Sequence, residues 1–501
     1  MTTSQPSASA SGTVGVPPGR APDPAGTDRG RWWRRRTDRL ALSVWAGSRV
    51  VMLAISLAAL ASQNGTSWLN LWQRWDWDRY LTIAEYGYTS GKGPAYDTNI
   101  VAFFPGYPVL LRTVHLVVRD WVVSGLLISL VAGAVACVAL ARLTEFEWRA
   151  RRAASGGETA GGEPGRAAVT AVLLLVAAPA AVFLAAGYTE SLFLALAIPA
   201  WLAGRQRRWV LACVLTALAC TVRIDGAFEA AGLAVMFLVG RPRARDWARS
   251  PAFALPLAAV VGYFAYLRDI TGDGLAWFHA EAQGWSRRLT NPVTAFRTSW
   301  DNAFGSGYRS GGGGFGRGGG AGGHRFGGGP GGRVHRNPGG FPGAGAGGGG
   351  QATGTGPQTG GTGPGTGLSH SVGGSGGTAP AGSGGTFSAF SGGRLGGVGS
   401  FDPWPFRLDI LAVAAGLAFI GWAAFRRRWA ELVYVGIAVV SLATSTFYMS
   451  VAREALLWWP PLIAFALWLS GRRWLTGLVL AGSGVVMVGI TWLFLTGSWA
   501  G

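Results

Sequence analysis

The sequence predicts an all-α protein that crosses a membrane many times. Three observations carry that expectation. Of 501 residues, 49% are hydrophobic and only 13% are charged, against about 25% charged in ordinary soluble domains. Apolar runs close to the length needed to span a bilayer recur along the chain. The arginines collect in short clusters between those runs, a pattern that orients spans in a membrane. A net charge of +19 would suggest nucleic acid for a soluble protein. Here topology accounts for the basic clusters, and no nucleic-acid partner is expected. Cys137, Cys213 and Cys220 sit inside apolar runs with no disulfide or metal spacing, so they read as packing residues.

Taken in order, residues 1–39 form a cytoplasmic arm that is expected to be disordered; its first 28 residues are rich in Ser, Pro, Gly and Thr. The basic stretch RGRWWRRRTDR follows. The next apolar run is too long for a signal core and lacks a small-residue cleavage site, so it reads as an anchor. Spans are expected at 43–63, 122–141, 167–187, 189–204, 209–223, 226–240, 252–267, 408–425, 430–449, 454–470 and 474–495. Arg49 lies in the first of them and is expected to snorkel. Arginine clusters occur at 29–39, 142–166, 205–208, 241–250, 426–428 and 472–473. Eleven spans with the N-terminus inside place all of these on the cytoplasmic face. The run 103–118, which begins FFPGYP and carries Arg112 and His115, would reverse every later cluster if it spanned. It is therefore read as a juxtamembrane or re-entrant helix on the outer side.

This divides the chain into the arm, a membrane region at 40–306 with its first outer loop at 65–120, a glycine-rich insert at 307–400, and a C-terminal membrane region at 401–501. The insert has no residues for a core, no Gly-X-Y period and no phosphate-loop pattern. It reads as a disordered extracytoplasmic linker, and His324, His335 and His370 are too scattered for a metal site.

The unusual polar residues fall on the outer side of this arrangement. Asp76 and Asp78 lie among Trp72, Trp75, Trp77 and Tyr80. A membrane belt explains aromatics at such a place and accounts less well for the carboxylates, which read either as catalytic or as ordinary polar residues of the surface. A carboxylate there can take the proton of a hydroxyl while aromatic planes hold a sugar, and burial would raise its pKa. On a helix, positions 76 and 78 diverge, so a two-carboxylate glycosidase site is not implied. Glu190, in GYTES, reads either as an N-terminal helix acid beside Thr189 and Ser191 or as a hydrogen-bond acceptor for a substrate hydroxyl. Arg223 and Asp225 read either as a mutual pair or as a phosphate contact. Arg453 offers a second phosphate contact, with Glu454 as its ordinary partner. His279 and Gln283 lie on an expected amphipathic helix after a GDG turn, which would cover a cleft or rest on the bilayer.

In combination, RWDWDRYLTIAEYGY (74–88), NIVAFFPGYPVLLR (99–112), GYTESLFLALA (187–197), VRIDG (222–226), TGDGLAWFHAEAQGW (271–285) and SVAREALLWWPP (450–461) resemble the PIG-V-like mannosyltransferases of the GT-C superfamily. The resemblance implies a GT-C-like helical bundle with about eleven transmembrane helices and extracytoplasmic juxtamembrane helices. It also implies an enzyme that takes mannose from polyprenyl-phosphate-mannose. The family's WD motif falls on Trp75 and Asp76, which makes Asp76 the first choice for the catalytic carboxylate and Asp78 the reserve. The FFP segment falls on Phe103, Phe104 and Pro105. A YSES-like segment falls on Tyr188, Thr189, Glu190 and Ser191, with a hydroxyl kept at 189. The late arginine falls on Arg453, ahead of Trp459 and Pro460. The glycine-rich insert departs from the family pattern.

The expected substrate-binding set is Trp75, Tyr80, Phe104, Tyr188, Glu190, Arg223, Asp225, His279, Gln283 and Arg453. The expected reaction is a single inverting displacement: Asp76 receives the acceptor's proton and an arginine stabilises the leaving phosphate. No cofactor is expected. A divalent ion bridging Asp76, Asp78 and phosphate is the less favoured arrangement. The expected partners are a polyprenyl-phosphate-linked sugar, the lipid bilayer, and a glycan, glycolipid or protein that presents a hydroxyl. The rival reading is a transporter or flippase for a lipid-linked sugar or small solute.

Overall fold

The first helix starts earlier than composition suggests. A computed structural model describes residues 36–93, 97–155, 163–305 and 403–498, and α1 already begins at Arg36, as Arg36–Ala61. The arm expected to be disordered through residue 39 is thus helical over its last four residues. Asp38 has no exposed surface and takes two guanidinium bonds from Arg142, at 3.0 and 2.6 Å. That anchor, and an acid in the first turn, extend the helix. Residues 1–35 and the insert 307–400 with its histidines lie outside the described residues.

The chain continues through α2 (Asp76–Tyr86), α3 (Gly106–Val118), α4 (Trp121–Ala154), α5 (Pro164–Val176), α6 (Thr189–Arg205), α7 (Trp209–Val222) and α8 (Asp225–Val239). There follow α9 (Ala244–Trp247), α10 (Ala254–Thr271), α11 (Ala276–Gly284) and α12 (Pro292–Phe304). After the insert come α13 (Trp404–Phe425), α14 (Trp429–Ala443), the single turn α15 (Val451–Glu454), α16 (Trp459–Leu469) and α17 (Arg473–Thr496). The described residues contain no strand.

Five segments are long and apolar enough to cross a bilayer: α1, α4, the α9–α10 stretch, α13 and α17. With α3, α5, α7, α14 and α16 as shorter apolar helices, this is an all-α, polytopic membrane protein. The stretch 167–187, expected as one span, is broken after Val176 and resumes as a short 3-10 turn at Ala181–Leu184. The run 103–118 contains α3, whose outer residues Val109, Leu116 and Val117 stay exposed.

Close helix approach depends on glycine against tryptophan. A Cβ on Gly133 of α4 would lie 2.2 Å from the Trp45 ring of α1, and the indole donates to Leu130 O at 3.0 Å. No other residue at 133 lets these helices sit so close.

The charges separate to two ends of the helices. At one end, Arg142 meets Asp38, and Glu147 at the end of α4 meets Arg205 and Arg428, both at 2.8 Å. There too, Arg428 meets Glu431 at 2.5 Å and Arg207 meets Asp246 at 2.6 Å. Five of the arginine-rich clusters are thereby tied together. The opposite ends of α6, α8 and α14 carry Glu190, Asp225 and the 444–446 turn. At a rise of about 1.5 Å per residue, α6 alone holds these two ends roughly 24 Å apart.

Candidate active site

Asp76 owes its position to a break in the chain. Trp75 takes φ 42° and ψ −104°, a conformation that bulky residues rarely adopt. The break starts α2 with Asp76 and Asp78 in its first turn, where acids are favoured by the helix dipole. The next residue, Trp77, then locks the helix. A Cβ on Gly125 or Gly187 would lie 2.6 or 2.5 Å from its ring. Gly187 opens the GYTES segment, so the same wedge seats α2 against the start of α6. Trp72 and Trp77 are 3% and 1% exposed, so these two aromatics are core residues and not part of a membrane belt.

Four segments far apart in sequence meet beside this helix. Arg453 donates from Nη1 to Asp76 Oδ2 at 2.6 Å and from Nε to Glu190 Oε1 at 2.5 Å. Its guanidinium lies over the rings of Phe183 and Tyr188, 4.7 and 4.8 Å from their centroids. Asp409 of α13 accepts the Ala452 N–H at 2.8 Å and so holds the turn that carries Arg453. Arg223, at the end of α7, donates to Thr189 Oγ1 at 2.8 Å, Glu190 Oε1 at 3.2 Å and Asp225 Oδ2 at 3.1 Å, and also pairs with Glu454. Burial works to lower the Arg453 pKa, but the Glu190 and Asp76 carboxylates outweigh it and hold the guanidinium above its ordinary value. Arg453 is therefore a fixed cation that orients Asp76. Glu454, read from sequence as its partner, pairs instead with Arg223.

A cavity of about 460 Å³ opens onto this cluster. Asp76, Tyr80, Phe104, Arg223, Asp225 and Arg453 line it. Glu190 and Tyr188, both fully buried, stand behind the wall. The Tyr188 hydroxyl donates to Arg74 O at 2.6 Å, and its ring packs edge-on against Tyr80 at 5.9 Å. Trp75 does not line the cavity; its ring packs on Phe494 at 5.2 Å. Trp459 is buried against Tyr434, centroids 4.6 Å apart, and also lies outside the lining. Asp78 points elsewhere. Burial raises its pKa, and Arg79 and Arg74 offset this in part.

Helix α11 supplies the facing wall with Trp277 and Glu281, and Trp285 follows at its end. These residues recur every four positions and share one face. His279 and Gln283 fall two positions off that face. His279 shares a 2.6 Å contact with Asp273, with both side chains largely exposed, and Gln283 is exposed. The cavity thus takes α11 but not the two residues singled out on it. It gains Glu281, Arg287 and Arg288, which motif reading missed; the 277/281/285 spacing was the available signal. Burial raises the Glu281 pKa, Arg287 opposes this, and the charges of Glu454 and Asp76 add to the rise.

Fold and site together define a polytopic membrane protein with a charged cavity at one end of its helices. Residues 51–240 match the family described as mannosyltransferase (PIG-V). The GPI alpha-1,6-mannosyltransferases 2 of Mus musculus and Rattus norvegicus are each 35% identical over 164 residues, 30% of this chain and 29% of theirs. That of Cricetulus griseus is 38% identical over 154 residues, with the same shares. No solved structure matches. Over this stretch the chain is similar to the PIG-V mannosyltransferases. The alignment spans 29% of the length of those curated relatives.

Proposed function

We propose that the protein is an inverting glycosyltransferase that moves mannose from polyprenyl-phosphate-mannose to an acceptor hydroxyl at the extracytoplasmic membrane face. The observation that carries this reading is that Asp76, Arg223 and Arg453, from three separate family-like segments, line one cavity, with Glu190 of a fourth bonded to both arginines behind its wall. One Asp76 oxygen is held by Arg453, and no hydrogen bond from the described residues reaches the other. In the proposed step the acceptor oxygen attacks the anomeric carbon from the side opposite the phosphate. The bond between that carbon and the phosphate oxygen breaks, and polyprenyl phosphate leaves. The hydroxyl proton passes to the open Asp76 oxygen. A lipid phosphate is itself a good leaving group, so no nucleotide is needed. One displacement inverts the anomeric centre, so a β-linked donor gives an α-mannoside.

The carboxylates among the cavity's lining residues support binding of a polyhydroxylated acceptor, since carboxylates accept hydroxyl hydrogen bonds. The gathering of the arginine clusters at the far end supports an extracytoplasmic site, by the positive-inside bias. The test is purified protein with polyprenyl-phosphate-mannose and candidate glycan, glycolipid and peptide acceptors, with products read by mass spectrometry. A new α-mannoside is the expected result. Movement of unmodified lipid-linked sugar across a vesicle, with no glycosidic bond formed, would instead identify a flippase.

A further inference from the structure

We infer that Arg287 and Arg288 form the subsite that receives the phosphate of a polyprenyl-phosphate ligand at the mouth of the cavity. This rests on the proposed lipid-linked donor and locates its anionic group.

The conspicuous arginines are already occupied. Arg223 and Arg453 are bonded to Asp76, Glu190, Asp225 and Glu454, four carboxylates against two guanidiniums. A phosphate entering there would displace a carboxylate and meet surplus negative charge. Arg287 and Arg288 line the same cavity. The Arg287 guanidinium has only long contacts, 3.5 Å to Glu281 and 3.3 Å to Met449 O. The exposed Arg288 side chain makes no hydrogen bond or ion pair with the described residues. Two adjacent cations with unfilled donors suit a phosphate oxyanion.

The backbone holds this pair in place. Ser286 turns the chain at φ 54°, a left-handed conformation a non-glycine residue adopts at a cost. Arg288 N then donates to Thr446 Oγ1 at 3.3 Å, and Thr290 N to Thr444 O at 2.6 Å. The segment is thereby fixed to the turn that precedes α15. Beside the pair, Phe278 and Leu289 line the same cavity and are 52% and 90% exposed. So apolar an edge beside two cations fits a ligand whose phosphate continues into a hydrocarbon chain. Free inorganic phosphate would leave it unused.

The test measures binding of radiolabelled polyprenyl phosphate to the full-length protein in phosphatidylcholine nanodiscs, without sugar or acceptor. R287Q/R288Q is expected to weaken binding roughly tenfold or more. R288Q, whose side chain has no partner to lose, should fold normally and weaken binding by a smaller factor. R297Q, which changes an exposed arginine on α12, should leave affinity unchanged. Wild-type affinity in R287Q/R288Q overturns the subsite, as does equal loss in R297Q. Competition by an equal amount of phosphatidylglycerol or inorganic phosphate overturns it too, because a bulk headgroup or a free anion is then the occupant. Transfer activity separates the two ideas. Arginine-dependent binding without transfer removes the enzyme reading and leaves the subsite, and transfer with arginine-independent binding does the reverse.

Discussion

Glu190 has no exposed surface, and its Oε1 accepts from both Arg453 and Arg223, while Oε2 has no partner among the described residues. One carboxylate oxygen therefore bridges two buried cations. Removing a single partner from such a network costs about 3–5 kcal/mol, because the remaining charges stay buried. Glu190→Gln is expected to lower the melting temperature sharply, read by thermal unfolding in detergent. An unchanged melting temperature would show the cluster to be better hydrated than the contacts imply. Glu281 makes a prediction in pH. Its folded pKa is raised by burial above the ordinary 4.5, so the folded state favours the neutral acid. The stability it contributes is complete below about 4.5 and fades as pH rises through the raised value. Glu281→Gln should therefore hold its melting temperature better than wild type as pH climbs from 4.5 upward. Parallel curves would contradict this. Asp76, Arg223 and Arg453 were legible as residues because each sits in a short family-like segment. Their pairing was not, since Arg453 lies 377 positions from Asp76 and local spacing says nothing of such contacts.

At the scale of elements, the α7–α8 turn sets the position of Arg223. A Cβ on Gly226 would lie 2.4 Å from Cys220 N and 2.6 Å from its Cα, backbone that cannot give way without parting the helices. Gly226→Ala is expected to cost about 1–3 kcal/mol and to lower transfer activity through Arg223. A variant with wild-type melting temperature and rate would show that the turn tolerates the opening. The sequence anticipated most of these helices, because long apolar runs satisfy their backbone polar groups in lipid only by coiling. The sequence predicts an amphipathic α11, but residue type alone does not show which of its faces meets the cavity. His279 and Gln283 drew notice by residue type, and the four-residue period of Trp277, Glu281 and Trp285 decides which side meets the cavity. Trp77 was read as an interfacial aromatic because nothing local shows that Gly125 and Gly187 leave a slot for it.

Over the whole molecule, carboxylate–arginine ties fasten one end of the bundle, and the cavity opens at the other. Residues on either side of the glycine-rich insert are held near each other: Arg407 donates to Ala303 O at 3.1 Å and lies over the rings of Phe304 and Trp404, 5.0 and 5.2 Å from their centroids. Replacing 307–400 by a short Gly/Ser linker is therefore expected to preserve membrane insertion and transfer activity, checked by expression and product yield. Loss of transfer in a folded, inserted variant would give the insert a part in catalysis.

The proposed reaction turns on Asp76, oriented by Arg453, accepting the proton of the attacking hydroxyl. The measurement that tests it most directly is transfer from polyprenyl-phosphate-mannose by Asp76→Asn and Asp78→Asn, with folding of each verified. Asp76→Asn is expected to slow turnover by a factor on the order of 10² to 10⁴, while Asp78→Asn, outside the cavity, keeps most of the activity. Wild-type turnover by Asp76→Asn would contradict this.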